Sequence, residues 1–477
     1  MIRRLPVLCC AVAALLAGCT LAPEYTRPEA PVPATWPRGA AYEGAAAPEA
    51  PLGADLGWRQ FFTDPQVQRL IETALENNRD LRLAALNVER ARALYRIQRA
   101  ELLPSLDVSA SGSRRRLPDI FGFGRALTLE QYSVDVGIAS WELDFFGRLR
   151  SLKRRALEEY LATEEARRSA QILLISEVAN AYLALAADRE NLKLAESTLE
   201  NEQSAYNLVR RRHEVGLAPE LDLRQAQTRV EVARGDVARF SALVAQDENA
   251  LNLLVGAAPV EPDLLPAALS SVTPPPDISA GTSSEVLLRR PDVVRAENLL
   301  KAANANIGAA RAAFFPRISL SALVGTASDA LTGLFGAGTG SWSYGADIAG
   351  PIFDPRTVPA LAATKVERQI AVAQYEKAIQ EAFRDVADAL AEKGTLGERL
   401  EAQRSLVEAA AETYRLAKAR YEKGIDTYLP VLDAQRSLYS AQQGLIFLRL
   451  ATLANQVRLY AALGGGAAPE GPPEEAK

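Results

Sequence analysis

The chain is written twice. Residues 66–256 return, element by element, as residues 282–464. Asp80, Ala91, Arg99 and Pro104 meet Asp292, Ala303, Arg311 and Pro316, and Ile138 and Asp144 meet Ile348 and Asp354. Further on, Tyr206, Arg212, Gly216, Leu221, Gln227 and Gly256 meet Tyr414, Arg420, Gly424, Leu429, Gln435 and Gly464. The offset between partners steps from 212 through 210 to 208, so length changes fall in connections while the elements keep their order. A period of this size is far beyond the roughly 20 to 50 residues of a solenoid unit. The chain is therefore a duplicated module, not a repeat array.

Each copy mixes two periodicities. In the first, residues 66–103 place Leu70, Ala74, Leu81, Leu86, Ala93, Ile97 and Ala100 at helical steps, and Pro104 ends the pattern. Leu106, Val108 and Ala110 then alternate with Asp107, Ser109 and Ser111, and the alternation resumes from Leu127 to Trp141. That is the period of strands with one apolar face. A polar, glycine-rich loop over 114–125, opened by Arg114, Arg115 and Arg116, is predicted between them. Both alternating segments approach or exceed the roughly 9 to 11 residues that a tilted membrane strand needs. Residues 148–214 contain neither proline nor glycine. As one helix they would reach about 100 Å at 1.5 Å per residue, more than a globular core requires. Gly216 to Pro219 breaks that pattern, and a returning helix over 221–254 is closed by Gly256 as a C-terminal cap. The second copy predicts a helix at 284–315, strands at 318–326 and 342–353, a long helix at 358–423 and a return to 462. Gly394 and Gly397 predict a local break in its long helix.

The flanks differ in kind. Residues 1–18 carry Arg3 and Arg4, an apolar stretch from Leu5 to Leu16 and then small residues, the pattern of a secretory signal. Leu16-Ala17-Gly18-Cys19 resembles the bacterial lipobox, in which cleavage leaves the cysteine carrying covalent lipid. Residues 19–65, rich in Pro, Ala and Gly, read as a lipidated extended tether, 257–281 as the linker between copies, and 465–477 as a disordered tail. Loss of the signal removes Cys9 and Cys10, so stability must come from packing and assembly without a disulfide. The formal net charge of −5 argues against a nucleic-acid partner. Beyond the signal there is no run of 18 or more consecutive apolar residues, so a membrane-crossing chain of this kind must use a barrel.

Four strands cannot close such a barrel, since small membrane barrels use about eight. Lipid-exposed strand edges are forbidden, so several chains must contribute to one barrel, with cyclic symmetry as the simple closed solution. Alanine-rich helical stripes suit close seams between neighbours. The alternative is a periplasmic coiled-coil scaffold lipoprotein that never spans the membrane.

At this level of detail the sequence resembles the outer membrane factors of TolC and OprM type, particularly the NodT-like lipoprotein branch. The resemblance rests on Cys19-Thr20-Leu21-Ala22-Pro23-Glu24-Tyr25 with Arg27-Pro28, on Val215-Gly216-Leu217-Ala218 with Leu221 to Gln227, and on Gly424 to Leu432 with Asp433-Ala434-Gln435-Arg436. It implies an α+β membrane protein in which a homotrimer closes a 12-stranded β-barrel, four strands per chain, continuous with a long α-helical coiled-coil barrel in the periplasm. It also implies an outer membrane exit duct of a tripartite efflux or secretion system, whose partners are a periplasmic adaptor, an inner membrane pump and outer membrane lipid.

By the same resemblance, Leu429, Asp433 and Arg436 occupy the positions of a periplasmic gate, and their i, i+4, i+7 spacing puts them on one helix face. In a symmetric ring, three leucines would form a dry constriction and three carboxylates would repel unless paired. The bland reading of the same spacing is an exposed Asp/Arg pair beside a core leucine. Gly216 and Leu217, with Gly424 and Ile425, look like hairpin tips that contact the adaptor, although a plain helical turn needs the same glycines. His213 is the only histidine, which leaves no Cys/His metal set and no Ser-His arrangement. The expectation is a protein that is not an enzyme and has no cofactor apart from lipid on Cys19.

Overall fold

A computed structural model of the chain describes residues 20–45, 50–118, 126–257 and 259–466. The signal segment, Cys19, residues 119–125 of the predicted 114–125 loop and residues 467–477 lie outside the described residues. The first copy comprises α1 (Pro65–Asn77), α2 (Arg79–Ala100), β1 (Asp107–Leu117), β2 (Leu127–Leu143), α3 (Arg148–Glu214) and α4 (Glu220–Val255). The second comprises α5 (Pro291–Ala312), β3 (Arg317–Ser328), β4 (Gly340–Ala349), α6 (Thr357–Glu422) and α7 (Leu429–Ala462). The 67-residue helix α3 has the span expected from its uninterrupted sequence.

Several expectations need correction. The single helix over 66–103 is two helices, because Asn78 serves both ends of a turn. Its backbone N–H donates to Ala74 O and closes α1, while its Oδ1 accepts from the N–H groups of Asp80 and Leu81 and opens α2. The helix over 284–315 begins as a 3-10 segment, Ser284–Arg289, and becomes α only at Pro291, whose missing N–H costs nothing at a first helical position. Arg114, Arg115 and Arg116 extend β1 instead of opening a loop, and Arg114 pairs with Glu130 on β2 at 2.9 Å. Gly394 and Gly397 do not break α6. At Gly394 a Cβ would lie 2.1 Å from Ala41 O, so this glycine admits a close backbone crossing instead of bending the helix. One 18-residue stretch of α3 has mean hydropathy 1.5, apolar enough by composition to cross a bilayer although it is not a continuous apolar run, and 56% of it is buried within the protein.

The chain divides into two compact units, each drawing on both copies. Of the described residues, the first contains 20–29, those within Asn87–Thr163, and Arg295–Tyr375, and its centre is an antiparallel sheet in the order β1-β2-β3-β4. The register puts Val108, Val136, Val324 and Trp342 in one row across all four strands, with Ala110 opposite Val134 and Ile318 opposite Ile348 on the same face. The other face carries Ser109, Ser111, Ser133, Asp135, Ser319, Ser321, Ser341 and Ser343. The predicted alternation therefore acts collectively, as one apolar and one polar surface.

In the same unit the segment after Cys19 is extended but tied down. Leu21 O accepts from Arg311, and Pro23 O from Asn304 at 2.8 Å. The Tyr25 hydroxyl and the Arg27 guanidinium both donate to Glu297, with Arg27 reaching it at 2.7 Å. Burial pushes the Glu297 carboxyl up, but the Arg27 hydrogen bond, the Lys301 charge and the Tyr25 hydroxyl together hold it below its ordinary value.

Of the described residues, the second unit contains those within Ala30–Leu86, those within Glu164–Val294, and 376–466. Its core centres on Trp58, Phe61, Ile71, Leu185, Ile278 and Tyr460, all fully buried. Phe61 stacks on Tyr460 at 4.0 Å between ring centres, and the Tyr460 hydroxyl donates to Leu56 O. The end of the expected tether and the linker pair with each other, since the Ser279 N–H donates to Pro51 O and the Gly53 N–H to Ser279 O.

Candidate functional site

The long helices turn at two tips built alike. At the end of α3, the Gly216 N–H donates to His213 O at 2.9 Å and the Leu217 N–H to Arg212 O at 2.7 Å. At the end of α6, the Gly424 N–H donates to Tyr421 O at 2.9 Å and the Ile425 N–H to Arg420 O at 3.0 Å. This pair of bonds is the Schellman stop, which needs a left-handed residue. Gly216 and Gly424 supply it at φ +76° and +71°, with open space around both, so the backbone angle and not crowding demands glycine. Leu217 and Ile425 are exposed at the turns.

Behind the turns the two hairpins share one packed body. Val209 of α3, Ala226 of α4, Tyr421 of α6 and Tyr428, Val431 and Leu432 at the start of α7 form a buried cluster. Arg212 lies 5.0 Å over the Tyr421 ring, which contacts Tyr428 at 5.0 Å between centres. The tips predicted separately from each copy therefore belong to one site.

Sequence reasoning missed the ion pair nearby. Glu202 on α3 is 1% exposed and accepts from Arg229 of α4 at 3.2 Å. Burial raises the Glu202 carboxyl although Arg229 pulls it down, and its Oε2 has no hydrogen-bond partner among the described residues. The signal was legible: Ala195, Glu202 and Val209 are seven apart and all buried, so a glutamate fills a seam position otherwise taken by apolar residues.

Leu429, Asp433 and Arg436 do share a face. The first turns of α7 bury Val431, Leu432, Ala434 and Gln435 and leave Leu429, Asp433 and Arg436 exposed. Asp433 Oδ1 accepts from Arg436 Nη2 at 3.3 Å, with side chains 61% and 70% exposed. A pair that open to water contributes little to stability, typically about 0.2 to 1 kcal/mol.

In the first unit, the row of exposed apolar residues through Val108, Val324, Trp342, Tyr344 and Ile348 covers one face of the sheet. Among the described residues β1 pairs only with β2 and β4 only with β3. A sheet with a lipid-compatible face and two open edges must be completed by further chains. The part of α2 in this unit likewise leaves every residue at least partly exposed, with Leu94 and Ile97 uncovered. These features define a subunit of an outer membrane channel.

The comparisons with known proteins agree. The family described as Outer membrane efflux protein matches residues 70–257 and 282–465. The toluene efflux pump outer membrane protein TtgC of Pseudomonas putida is 50% identical over 454 residues, covering 95% of this chain and 93% of its own. Among solved structures, a membrane protein from Pseudomonas aeruginosa superposes with TM-score 0.86 at 40% identity, covering 94% of this chain and 100% of the other. The open state of the Neisseria gonorrhoeae MtrE outer membrane channel does so with 0.83 at 39% identity, covering 94% and 99%. The chain belongs to the outer membrane efflux protein family. It is an outer membrane channel of a tripartite efflux system, with the α+β fold of a trimeric channel to which each chain gives four strands. The scaffold that never spans the membrane is thereby set aside.

Proposed function

We propose that this channel is a passive exit duct for small organic molecules, supplied by an inner membrane pump through a periplasmic adaptor that docks at Gly216, Leu217, Gly424 and Ile425. The relatives named for toluene and antibiotic efflux support a broad cargo of this kind. Covalent lipid on Cys19 holds the chain to the outer membrane in this reading. The ties from Leu21, Pro23, Tyr25 and Arg27 to α5 favour an anchor of fixed position.

Leu429, Asp433 and Arg436 form the gate. The observation that carries this assignment is the division of α7, in which one face is buried in the tip cluster while these three side chains are left uncovered. Around a three-fold axis each would have two symmetry mates, and the carboxylates would need the guanidiniums to offset their repulsion. The gate is closed at rest, and docking of the adaptor holds it open. Replacing Asp433 and Arg436 together by alanine should raise single-channel conductance in planar bilayers several-fold; a conductance equal to wild type removes the gate from these residues.

A further inference from the structure

On the apolar face of the four-stranded sheet, the charged residues among those described are Arg114, Arg116 and Glu130, and all stand at one end. Side chains alternate along β1, so Arg114 and Arg116 share the face of Val108 and Ala110, while Arg115 falls on the serine-rich face. Glu130 is directly opposite Arg114, and Thr128 opposite Arg116. This is the external end of the sheet. β1 runs from α2 towards Leu117, β2 returns to α3, and the helices of this family lie in the periplasm.

The charges begin where the apolar band stops. From the Leu143–Ile318 pair to the Glu130–Arg114 pair the ladder runs about 12 residues, or about 40 Å at 3.3 Å each. At a tilt of about 45° that is about 28 Å across a bilayer, against roughly 25 Å for the apolar band of membrane barrels. Aromatic girdles mark the two limits of such a band. On this face Trp141 lies towards the inner limit and Tyr132 towards the outer, where the Tyr132 ring is close enough to Gly112 that a Cβ there would lie 3.2 Å from it. Arg114 and Arg116 therefore stand at the depth of the outer-leaflet headgroups. Their nitrogens are open. Arg114 meets Glu130 through Nε at 2.9 Å, and its side chain is still 74% exposed. Arg116 is exposed and has no ion pair or hydrogen bond among the described residues. Two guanidiniums against one carboxylate leave net positive charge, and a guanidinium presents paired N–H donors that match phosphate oxygens. We propose that Arg114 and Arg116 bind the phosphate of an outer-leaflet lipid headgroup, one site per chain, with Tyr132 against the lipid beneath it.

The test titrates the full-length trimer, purified in mild detergent, with diphosphoryl lipid A and counts bound lipid by native mass spectrometry. Saturable binding is expected, weakened about fivefold or more by Arg116→Gln and about tenfold or more by Arg114→Gln with Arg116→Gln. Arg115→Gln removes the same charge from the opposite face and should change affinity less than about twofold. Equal losses in Arg115→Gln and Arg116→Gln would mean general attraction to a basic segment and overturn the site. Lipid A stripped of both phosphates should bind about fivefold or more weakly, and equal binding removes phosphate as the recognised group. Inorganic phosphate in large excess should leave lipid A bound; complete displacement would make this a free-phosphate site and overturn the lipid assignment. Lipid A binding unchanged in the double variant also overturns the proposal, even if its trimer melts at lower temperature, the mark of an ion pair between chains. Conduction is not read, so failure of the site leaves the efflux assignment standing.

Discussion

The two hairpins end in the same backbone stop and differ in the charged pairs beside it. Both tips use a glycine near φ +70° and the same two hydrogen bonds. Beside the first, His213 Nδ1 lies 2.9 Å from Ala218 O, and Glu220 lies 3.2 Å from His213 and 2.8 Å from Arg224. Beside the second, Arg420 pairs with Asp426. One turn further on, Leu221, Gln225 and Thr228 of α4 stand where α7 has Leu429, Asp433 and Arg436. Duplication kept the geometry that ends a helix, because only a left-handed residue ends it this way. It left the exposed charges free to diverge, because exposed charges contribute little to folding.

Removal of Arg229 should have the largest effect on this comparison. Arg229→Ala leaves Glu202 buried in the seam without its partner, at a cost of about 3 to 5 kcal/mol, read as a lower denaturant midpoint. Replacing both Glu202 and Arg229 by leucine should recover most of that loss. If Arg229→Ala is neutral, the pair does not tie the first hairpin together. Next come the caps: Gly216→Ala and Gly424→Ala should each cost about 1 to 2 kcal/mol, the penalty of a Cβ in the left-handed region. Unequal costs in unfolding experiments would show that the two stops are not equivalent.

A pH effect of smaller size separates the copies at another matched pair. Asp247 of α4 stands where α7 has Asn455. Burial, then the neighbouring Asp188 charge and its hydrogen bond, push the Asp247 carboxyl up to about 6. The folded state thus holds a proton that the unfolded chain releases at lower pH. Its stabilising contribution is full below the ordinary aspartate range and is lost as pH rises through about 6. Asp247→Asn, which gives the first copy the residue of the second, should flatten stability between about pH 4 and pH 6 in thermal melts. An unchanged profile would exclude Asp247 as the titrating group. The smallest change belongs to Asp433→Ala, which should alter stability by less than about 1 kcal/mol because its ion pair is open to water. A large loss in the same melts would mean that Asp433 is structural, not part of a gate.

Most of this architecture was legible in the residues. Period-2 alternation marked all four strands, and the absence of proline and glycine over 148–214 marked α3 to the residue. Leu429, Asp433 and Arg436 were placed on one face by spacing alone, and the burial pattern of α7 leaves that face uncovered. The break at Asn78 was not legible, because an asparagine within an apolar period signals a turn only once its side chain finds Asp80, Leu81 and, across the fold, Leu254 O. Gly394 misled for a similar reason: a glycine in a helix predicts a bend unless another backbone passes over it.

By itself, the sequence determined what depends on near neighbours in the chain: helix and strand periods, the glycines that stop each hairpin, and the duplication that repeats them. Only the tertiary structure decided what depends on residues far apart. It joined the two tips through Tyr421, Tyr428 and Val209, seated Glu202 against Arg229, and laid the segment after Cys19 along α5. Local patterns repeat at fixed spacing and can be read in one dimension. Packing partners hundreds of residues apart share no spacing, so burial and charge pairing emerge only when the chain has folded.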